Sequence, residues 1–473
     1  MSLNEDHDDH LHIVMFPWLA FGHILPYLEL SKYLAEKGNK ISLVSTPRNI
    51  QRLPKVPSNL ASLLTLVEIP FPQPTENLPD GAEATSDLPI EKVEYLKKAF
   101  DGLESPFAKF LESSSPDWVV VDFMHHWVPP MAAKLNIPSA FYSTFNASFL
   151  SFMGPPSVYI GGEYEGERAV PEKYISPAKW IPFDNNLHFT MYEIMRMTSS
   201  VNVNGTGVSD AARFGLTVQG ANIVAIRSSM ELESEWLNLL QETVYRKPVF
   251  PIGLLMPRVN QREDENNEKW VQIKEWLDHK ETKSVVYIAF GSEAILSQEE
   301  TTELALGLES SELPFFWVWR TPVGSAESEL PPGFEDRVKG RGYICRTWAP
   351  QLKILSHDSV GGFLTHSGWN SVIESLGFGC PLVLLPLIND QAIMARMLVW
   401  KKIGFEVPRS ESDGSFTRKS VAESLRRLMV EDEGEVYRRK AKELKGVVGD
   451  TARQDEYVSC FESYLKQYKL KRT

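Results

Sequence analysis

The stretch Trp348–Gln391, WAPQLKILSHDSVGGFLTHSGWNSVIESLGFGCPLVLLPLINDQ, constrains the fold more than any other part of the chain. Val360–Thr365 (VGGFLT) is apolar and short, as suits a strand buried on both faces of a parallel sheet. It runs into His366, and Ser367-Gly368 opens a helix whose apolar face is Val372, Ile373 and Leu376. Gly379 and Pro381 end that helix, a second apolar strand follows, and the stretch closes in a polar loop. A strand that turns through glycine into a helix leaves unpaired backbone N–H groups at the carboxyl edge of its sheet, which favours a bound phosphate.

The side chains around this turn suit a nucleotide. Asn370 and Ser371 in the first helical turn can donate to phosphate oxygens, and Glu374, one turn beyond Asn370 on the same face, suits two vicinal hydroxyls such as those of a ribose. Trp348 precedes Ala349-Pro350, where proline is placed for a helix start, and its indole can stack a base. Asp390-Gln391 offers acceptors and donors to sugar hydroxyls. Taken singly, each has a plainer reading: Trp348 as core, Ser367 or Ser371 as a helix cap, Glu374 as a solvated face, Asp390 and Gln391 as loop. Only the ordered combination is specific.

A chain of 473 residues exceeds one ordinary core, so two domains are expected. The first half opens with a β-α-β pattern. Strand His12–Pro17 is followed by a loop to Gly22, then His23, a helix from about Leu25 to Lys37 and strand Ile41–Ser45. No GxGxxG follows the first strand, which argues against a dehydrogenase. Further strands are read at Leu66–Ile69, Trp118–Asp122, Ser139–Thr144 and Ile223–Arg227, with a helix over Ile90–Leu111. The proline-rich loop Pro70–Pro89 suits the lining of a substrate pocket, and the aromatic-rich residues 145–220 suit either a pocket wall or a second hydrophobic cluster. The second half restarts the plan with strand Ser284–Phe290, Gly291-Ser292, a helix over Gln298–Glu309 and strand Phe315–Trp319. Ser420–Val430 reads as a helix, and Glu431–Tyr468 as one or two amphipathic helices.

The net charge of -13 argues against a nucleic acid or an anionic membrane surface as partner. Cys345, Cys380 and Cys460 are far apart and fit free thiols in a reducing compartment. The acidic amino terminus is neither signal nor transit peptide; its His7, His10 and His12 read as a disordered tail rather than a metal site. No run has the length of a membrane span.

The stretch 348–391 resembles, nearly position for position, the signature box of plant family 1 UDP-dependent glycosyltransferases, Trp at its start and Gln at its close. FPWLAFGHILPYLELSKYLAEKG near the amino terminus and VVYIAFGS at 285–292 also look like motifs of that family, so the resemblance covers most of the chain. It implies an α/β fold of two facing Rossmann-like domains, the GT-B fold, with parallel sheets flanked by helices and ligands in the cleft between them. It also implies an acceptor-binding domain over residues 1–250, a linker over 251–268, a UDP-sugar-binding domain over 269–455 and a carboxyl-terminal helix, 456–473, packing back on the first domain.

Residue by residue, the resemblance makes His23 the general base and Asp122, at the end of a neighbouring strand, the carboxylate that orients it. His125 and His126 are rivals as base or acceptor contacts. Trp348 stacks uracil, the Ala349 backbone and Gln351 read its edge or the adjoining ribose, and Glu374 holds the ribose hydroxyls. His366 and the helix start Gly368–Ser371, with Asn370, face the diphosphate, and Ser292 adds a phosphate contact. Asp390 and Gln391 hold the transferred sugar, and Thr144 contacts its far hydroxyl.

No DxD motif stands out, and helix-start N–H groups can take the place of a metal, so no metal and no cofactor beyond the co-substrate are expected. Displacement by an activated hydroxyl implies inversion at the anomeric carbon. The partners implied are a UDP-sugar and a small hydroxyl acceptor, and a cytoplasmic monomer is expected.

Two positions depart from the family pattern. Ile388 in PLINDQ stands where an aromatic is usual, and Ser367 where Cys is common. Gln391 resembles glucose users, yet rhamnose and xylose users also carry Gln there, so UDP-glucose is the first choice and UDP-rhamnose and UDP-xylose stand beside it. FPWLAFGHILPYLELSK, the HHW after Asp122 and SVVYIAFGSE resemble the subgroup that adds sugars to flavonoid, terpenoid or steroid glycosides. The alternatives are a bare aglycone as acceptor, or a nucleotide-sugar-binding protein without catalysis; a nucleotide-dependent oxidoreductase or epimerase is disfavoured by the missing glycine fingerprint.

Overall fold

The computed structural model describes residues 10–72, 77–201, 205–258, 268–320 and 328–471. His7 and half of the expected linker, residues 259–267, therefore lie outside the described residues. The chain forms two compact units, one drawn from Met1–Ala169, Ser199–Leu255 and Thr451–Thr473, the other from Val170–Thr198 and Met256–Asp450.

The first unit is built on seven strands: β1 (His12–Phe16), β2 (Lys40–Ser45), β3 (Leu64–Glu68), β4 (Trp118–Val121), β5 (Ser139–Ser143), β6 (Ile223–Ile226) and β7 (Val249–Pro251). They lie in the order β3-β2-β1-β4-β5-β6-β7, and every pairing is parallel. β1 and β4 are fully apolar on their buried positions, as a strand covered by helices on both faces requires. β7 is the one strand whose sequence, KPVFP, reads as a proline stretch rather than as sheet. It sits at the edge, where a proline costs no ladder bond.

The second unit carries β8 (Val285–Ala289), β9 (Phe315–Val318), β10 (Gly342–Cys345), β11 (Val360–Thr365), β12 (Leu382–Leu384) and β13 (Gly404–Glu406). Their order is β10-β9-β8-β11-β12-β13, again all parallel. Both sheets therefore have a point where the strand order reverses, between β1 and β4 in one and between β8 and β11 in the other. Ligands of doubly wound folds bind in the crevice outside the strand ends at such points. In β11 the doubled glycine has a packing reason: a Cβ on Gly361 would lie 2.0 Å from the Lys283 carbonyl oxygen of the neighbouring chain segment.

Two segments depart from their place in the sequence. Val170–Thr198, expected within the first domain, groups with the second unit. Glu193 there accepts from the Arg396 guanidinium at 2.8 and 3.0 Å, and the Tyr192 ring occupies the space a side chain at position 414 would need. The last helix, Thr451–Leu470, belongs to the first unit. Its Val458, Phe461 and Leu465 are fully buried in one cluster with Ile13, Tyr27, Leu28 and Trp118. The Trp118 indole N–H donates to the Leu465 carbonyl at 3.2 Å, and Asn39 Nδ2 donates to Glu462 at 2.6 Å. The helix expected over Ile90–Leu111 is broken: Val93–Asp101 and Glu104–Ser114 are separate helices, with Gly102 packed close against Pro72. No helix among the described residues is long and apolar enough to cross a membrane.

Phe461→Ala is expected to destabilise the first unit by roughly 3–5 kcal/mol, because it empties a core position. Substitution of the exposed neighbour Cys460 by Ser should stay within about 0.5 kcal/mol. Urea titration of the two variants checks both.

Candidate active site

In the first unit the site forms where β1 and β4 end side by side. The chain leaves β1 through Trp18 and turns into the helix Phe21–Glu36, with Ala20 as its N-cap. His23 is thus the third residue of a helix rather than the end of a loop. Asp122 follows β4 directly and is fully buried. A buried carboxylate must be paired. Asp122 Oδ2 accepts from His23 Nδ1 at 2.7 Å and from the Trp18 N–H at 3.1 Å, while Oδ1 accepts from the Phe123 N–H at 2.8 Å. Burial pushes the Asp122 carboxyl up, but the charge and hydrogen bond of His23 outweigh it and hold the group below the ordinary carboxylate value.

This bond fixes the tautomer. With Nδ1 carrying the hydrogen toward Asp122, the proton-accepting role falls to Nε2. Thr144, just past β5, lies with its Oγ1 2.9 Å from the same Nδ1. The sequence reading gives Thr144 to the transferred sugar; in the structure its hydroxyl lies against His23. The ring of His23 is flanked by Phe123 at 5.5 Å and Phe145 at 5.4 Å, and Phe145 in turn packs at a tilt on Phe149 at 5.1 Å. These aromatics form an apolar wall beside the imidazole. Phe145 and Phe149 stand out in the sequence as members of an aromatic-rich stretch, but nothing there connects them to His23.

The two rival histidines point elsewhere. His125 is fully buried among Phe16, Phe100 and Trp127, and its Nδ1 bonds the Asp122 carbonyl at 3.1 Å. Burial drives its pKa down to about 3, so it is a neutral core residue behind Asp122. His126 Nδ1 accepts from Arg213 at 3.2 Å, and burial and that cation lower its pKa.

In the second unit the helix Trp369–Phe378 begins after β11 with Gly368 as N-cap, and no side chain caps it. Glycine at the N-cap offers no side-chain oxygen to the first-turn N–H groups. His366 stands between two glycines: a Cβ on Gly368 would lie 2.4 Å, and one on Gly291 2.8 Å, from its Nε2. Burial drives the His366 pKa down to about 4, against a hydrogen bond to the backbone at Ala289. Ser292 follows Gly291 in the turn after β8, next to β11 in the sheet. The carboxyl end of the strand pair β8 and β11 therefore gathers Gly291, Ser292, His366 and the helix start with Asn370 and Ser371.

Gln351 opens the helix Gln351–Ser356 after Pro350. Its amide donates to Glu374 at 2.7 Å and to Ser371 Oγ at 3.2 Å, and its carbonyl accepts from the Tyr287 hydroxyl at 3.2 Å. Gln351, Ser371 and Glu374, separate in sequence, are thus one hydrogen-bonded cluster, with Tyr287 of β8 as a member that sequence reading missed. Trp348 is 69% exposed, whereas Ala349 beside it is buried. The loop expected to end in Gln391 instead turns into the helix Gln391–Trp400, with Asp390 as its N-cap. Gln391 is buried, and its side-chain carbonyl accepts from the Leu387 and Ile388 N–H groups at 2.9 and 3.0 Å. That oxygen holds the loop in shape, which leaves the amide N–H groups as its means of meeting a ligand. Ile388 is partly buried against the core.

Two all-parallel Rossmann-like units, one presenting an oriented imidazole in an apolar setting and the other an uncapped helix start beside an exposed indole, define a nucleotide-sugar transferase of the GT-B class. The family model for UDP-glucoronosyl and UDP-glucosyl transferases matches residues 239–450. UDP-glycosyltransferase 91C1 of Arabidopsis thaliana is 50% identical over 96% of each chain. Soyasaponin III rhamnosyltransferase of Glycine max is 43% identical over 99% of this chain and 98% of its own. Among solved structures, a Glycyrrhiza uralensis glycosyltransferase complexed with glycyrrhetinic acid 3-O-monoglucuronide superposes with a TM-score of 0.80 at 24% identity, covering 98% of this chain and 97% of that one. The chain belongs to the plant family 1 UDP-glycosyltransferases.

His125 and His366 have folded-state pKa values of about 3 and about 4, below the ~6.5 of an unfolded histidine. The unfolded chain therefore takes up these protons first: stability is complete above about pH 6.5 and falls as the pH drops through the folded values. The thermal midpoint is expected to decline from pH 7 to pH 4, and His125→Gln to flatten the decline. An unaltered slope in that variant would show that His125 is not linked to folding.

Proposed function

We propose that the protein is an inverting transferase that moves a sugar from a UDP-sugar to a hydroxyl of a plant specialised metabolite already carrying sugar. The observation that carries the reading is the His23–Asp122 pair, 2.7 Å apart, with Asp122 fully buried and its tautomer-setting bond made. An acceptor hydroxyl gives its proton to His23 Nε2 as its oxygen attacks the anomeric carbon. The bond from that carbon to the UDP oxygen breaks on the opposite side, so configuration inverts. Asp122 stabilises the imidazolium that forms. The apolar wall of Phe123, Phe145 and Phe149 suits the hydrophobic body of an acceptor.

On the donor side, Trp348 stacks uracil, the Ala349 backbone and Gln351 meet its edge or the adjoining ribose, and Glu374 takes the ribose hydroxyls. The uncapped helix start at Gly368–Ser371, with Asn370, Ser292 and His366, meets the diphosphate as charge develops on it, the task a metal performs in other transferases. Asp390 and the Gln391 amide hold the sugar. UDP-glucose is the first donor. UDP-rhamnose stands beside it because a relative 43% identical over nearly the whole chain is named a rhamnosyltransferase, and that relative's name, with a saponin as its acceptor, also supports a glycosylated acceptor here.

His23→Ala is expected to lower transfer by about 10²–10⁴-fold, the usual worth of a general base, with UDP affinity retained. Transfer at the parent rate in that variant would overturn the mechanism. A panel of UDP-glucose, UDP-rhamnose, UDP-xylose and UDP-galactose against mixed plant glycosides, read by product mass, identifies the donor. Products formed only on bare aglycones would overturn the acceptor reading.

A further inference from the structure

Arg320 is the residue on which the donor-binding elements converge, and the sheet order explains why. β9 lies between β10 and β8. The chain leaving β10 leads within three residues to Trp348, and the chain leaving β8 leads to Gly291. Arg320 leaves the end of β9 itself, just past Trp319, whose N–H bonds the Cys345 carbonyl of β10 at 2.9 Å. A long side chain at this place can reach the loops of both neighbours, and this one does. Its guanidinium carbon lies 5.0 Å over the centre of the Trp348 ring, and its Nη2 donates to the Gly291 carbonyl at 2.9 Å. Gly291 has a φ of +74° and borders His366 so closely that no side chain fits there. Among the described residues no carboxylate forms an ion pair with Arg320.

These contacts have a consequence for an indole that is 69% exposed. An exposed ring on a loop has several rotamers, and stacking a base would require freezing it at the moment of binding. A guanidinium is planar and stacks on aromatic faces, and here its other end is tied to a backbone carbonyl of a rigid turn. It therefore occupies one face of the indole and leaves the opposite face for a base. We infer that Arg320 is a positioning residue of the donor site: it holds Trp348 edge-fixed for the uracil and ties that loop to the glycine turn beside the diphosphate position. This rests on the proposal that Trp348 stacks uracil. It assigns Arg320 no direct contact with the nucleotide, and Lys is a poor substitute because it lacks the planar fork.

The test is a double-mutant cycle on the full chain, reading the Kd of uridine, UMP and UDP for the parent, Arg320→Leu, Trp348→Ala and the double variant, together with donor and acceptor KM. Arg320→Leu is expected to weaken all three ligands by the same factor, about three- to ten-fold. It should raise donor KM more than it lowers kcat and leave acceptor KM within about twofold, which a general loss of folding would not do. In the Trp348→Ala background the same substitution should change affinity by less than about twofold, because the ring it positions is gone. Arg320→Lys should recover only part of the loss. If Trp348→Ala weakens UDP but Arg320→Leu does not, the inference is overturned while the stacking reading stands. If the Arg320 effect persists in the Trp348→Ala background, or appears with UDP and not with uridine, Arg320 acts on the phosphates and the inference is overturned. If Trp348→Ala itself leaves UDP affinity unchanged, the stacking reading fails and takes the inference with it.

Discussion

In both units every strand runs parallel to its neighbours, and the rest of the molecule follows from that constraint. Parallel strands need crossover connections, so the loops that leave the carboxyl ends of the strands collect along one edge, together with the amino-terminal ends of the helices that follow. At the reversal of strand order two such loops diverge and open a crevice. His23 and Asp122 stand at the β1–β4 reversal, Gly291 and His366 at the β8–β11 reversal. The candidate site residues collect there because turns and the amino-terminal ends of helices meet at those strand ends.

Within each crevice a different physical problem has been solved. At Asp122 it is a charge removed from water. Two backbone N–H groups and an imidazole surround the carboxylate, so that its ionised form survives full burial and the imidazole keeps one orientation. Behind it, His125 fills an aromatic pocket as a neutral group, which keeps a second charge away. At His366 the problem is space. The ring is bounded by Gly291 and Gly368, and the helix start opens without a side-chain cap. A cap residue would stabilise the helix by about 1 kcal/mol but would also occupy the N–H groups that an anion needs. Glycine at position 368 leaves that side-chain cap unmade.

Space and sequence diverge at two segments. Val170–Thr198 lies with the second unit although it is flanked by first-unit residues, and Thr451–Leu470 lies with the first although it follows the second. Each is held by contacts that composition does not advertise: the Arg396–Glu193 ion pair in one case, the burial of Phe461 and Leu465 against Trp118 in the other. The aromatic-rich middle of the chain was illegible for the same reason. Its Phe145 matters because it meets His23, a contact made across more than a hundred residues, and Phe149 because it packs on Phe145.

The sequence by itself determined the period of the elements and the types of residue at their ends. Strands buried on both faces are continuous apolar runs, helices carry a 3.6-residue stripe, and turns carry glycine, so β1, β2, β4, β8 and β11 and the helix after His366 were readable to within a residue or two. The ordered box 348–391 likewise singled out candidate site residues, because local order along one chain is what a motif records. Tertiary structure alone decided which of these residues act together and what each holds. It put Thr144 against His23, joined Gln351 to Glu374, turned the Gln391 carbonyl inward to its own loop, retired His125 to the core and laid Arg320 over Trp348. Such pairings depend on distances of 3–5 Å between side chains from different strands. Those distances are set by the order in which strands lie in a sheet, and neither periodicity nor composition carries that order.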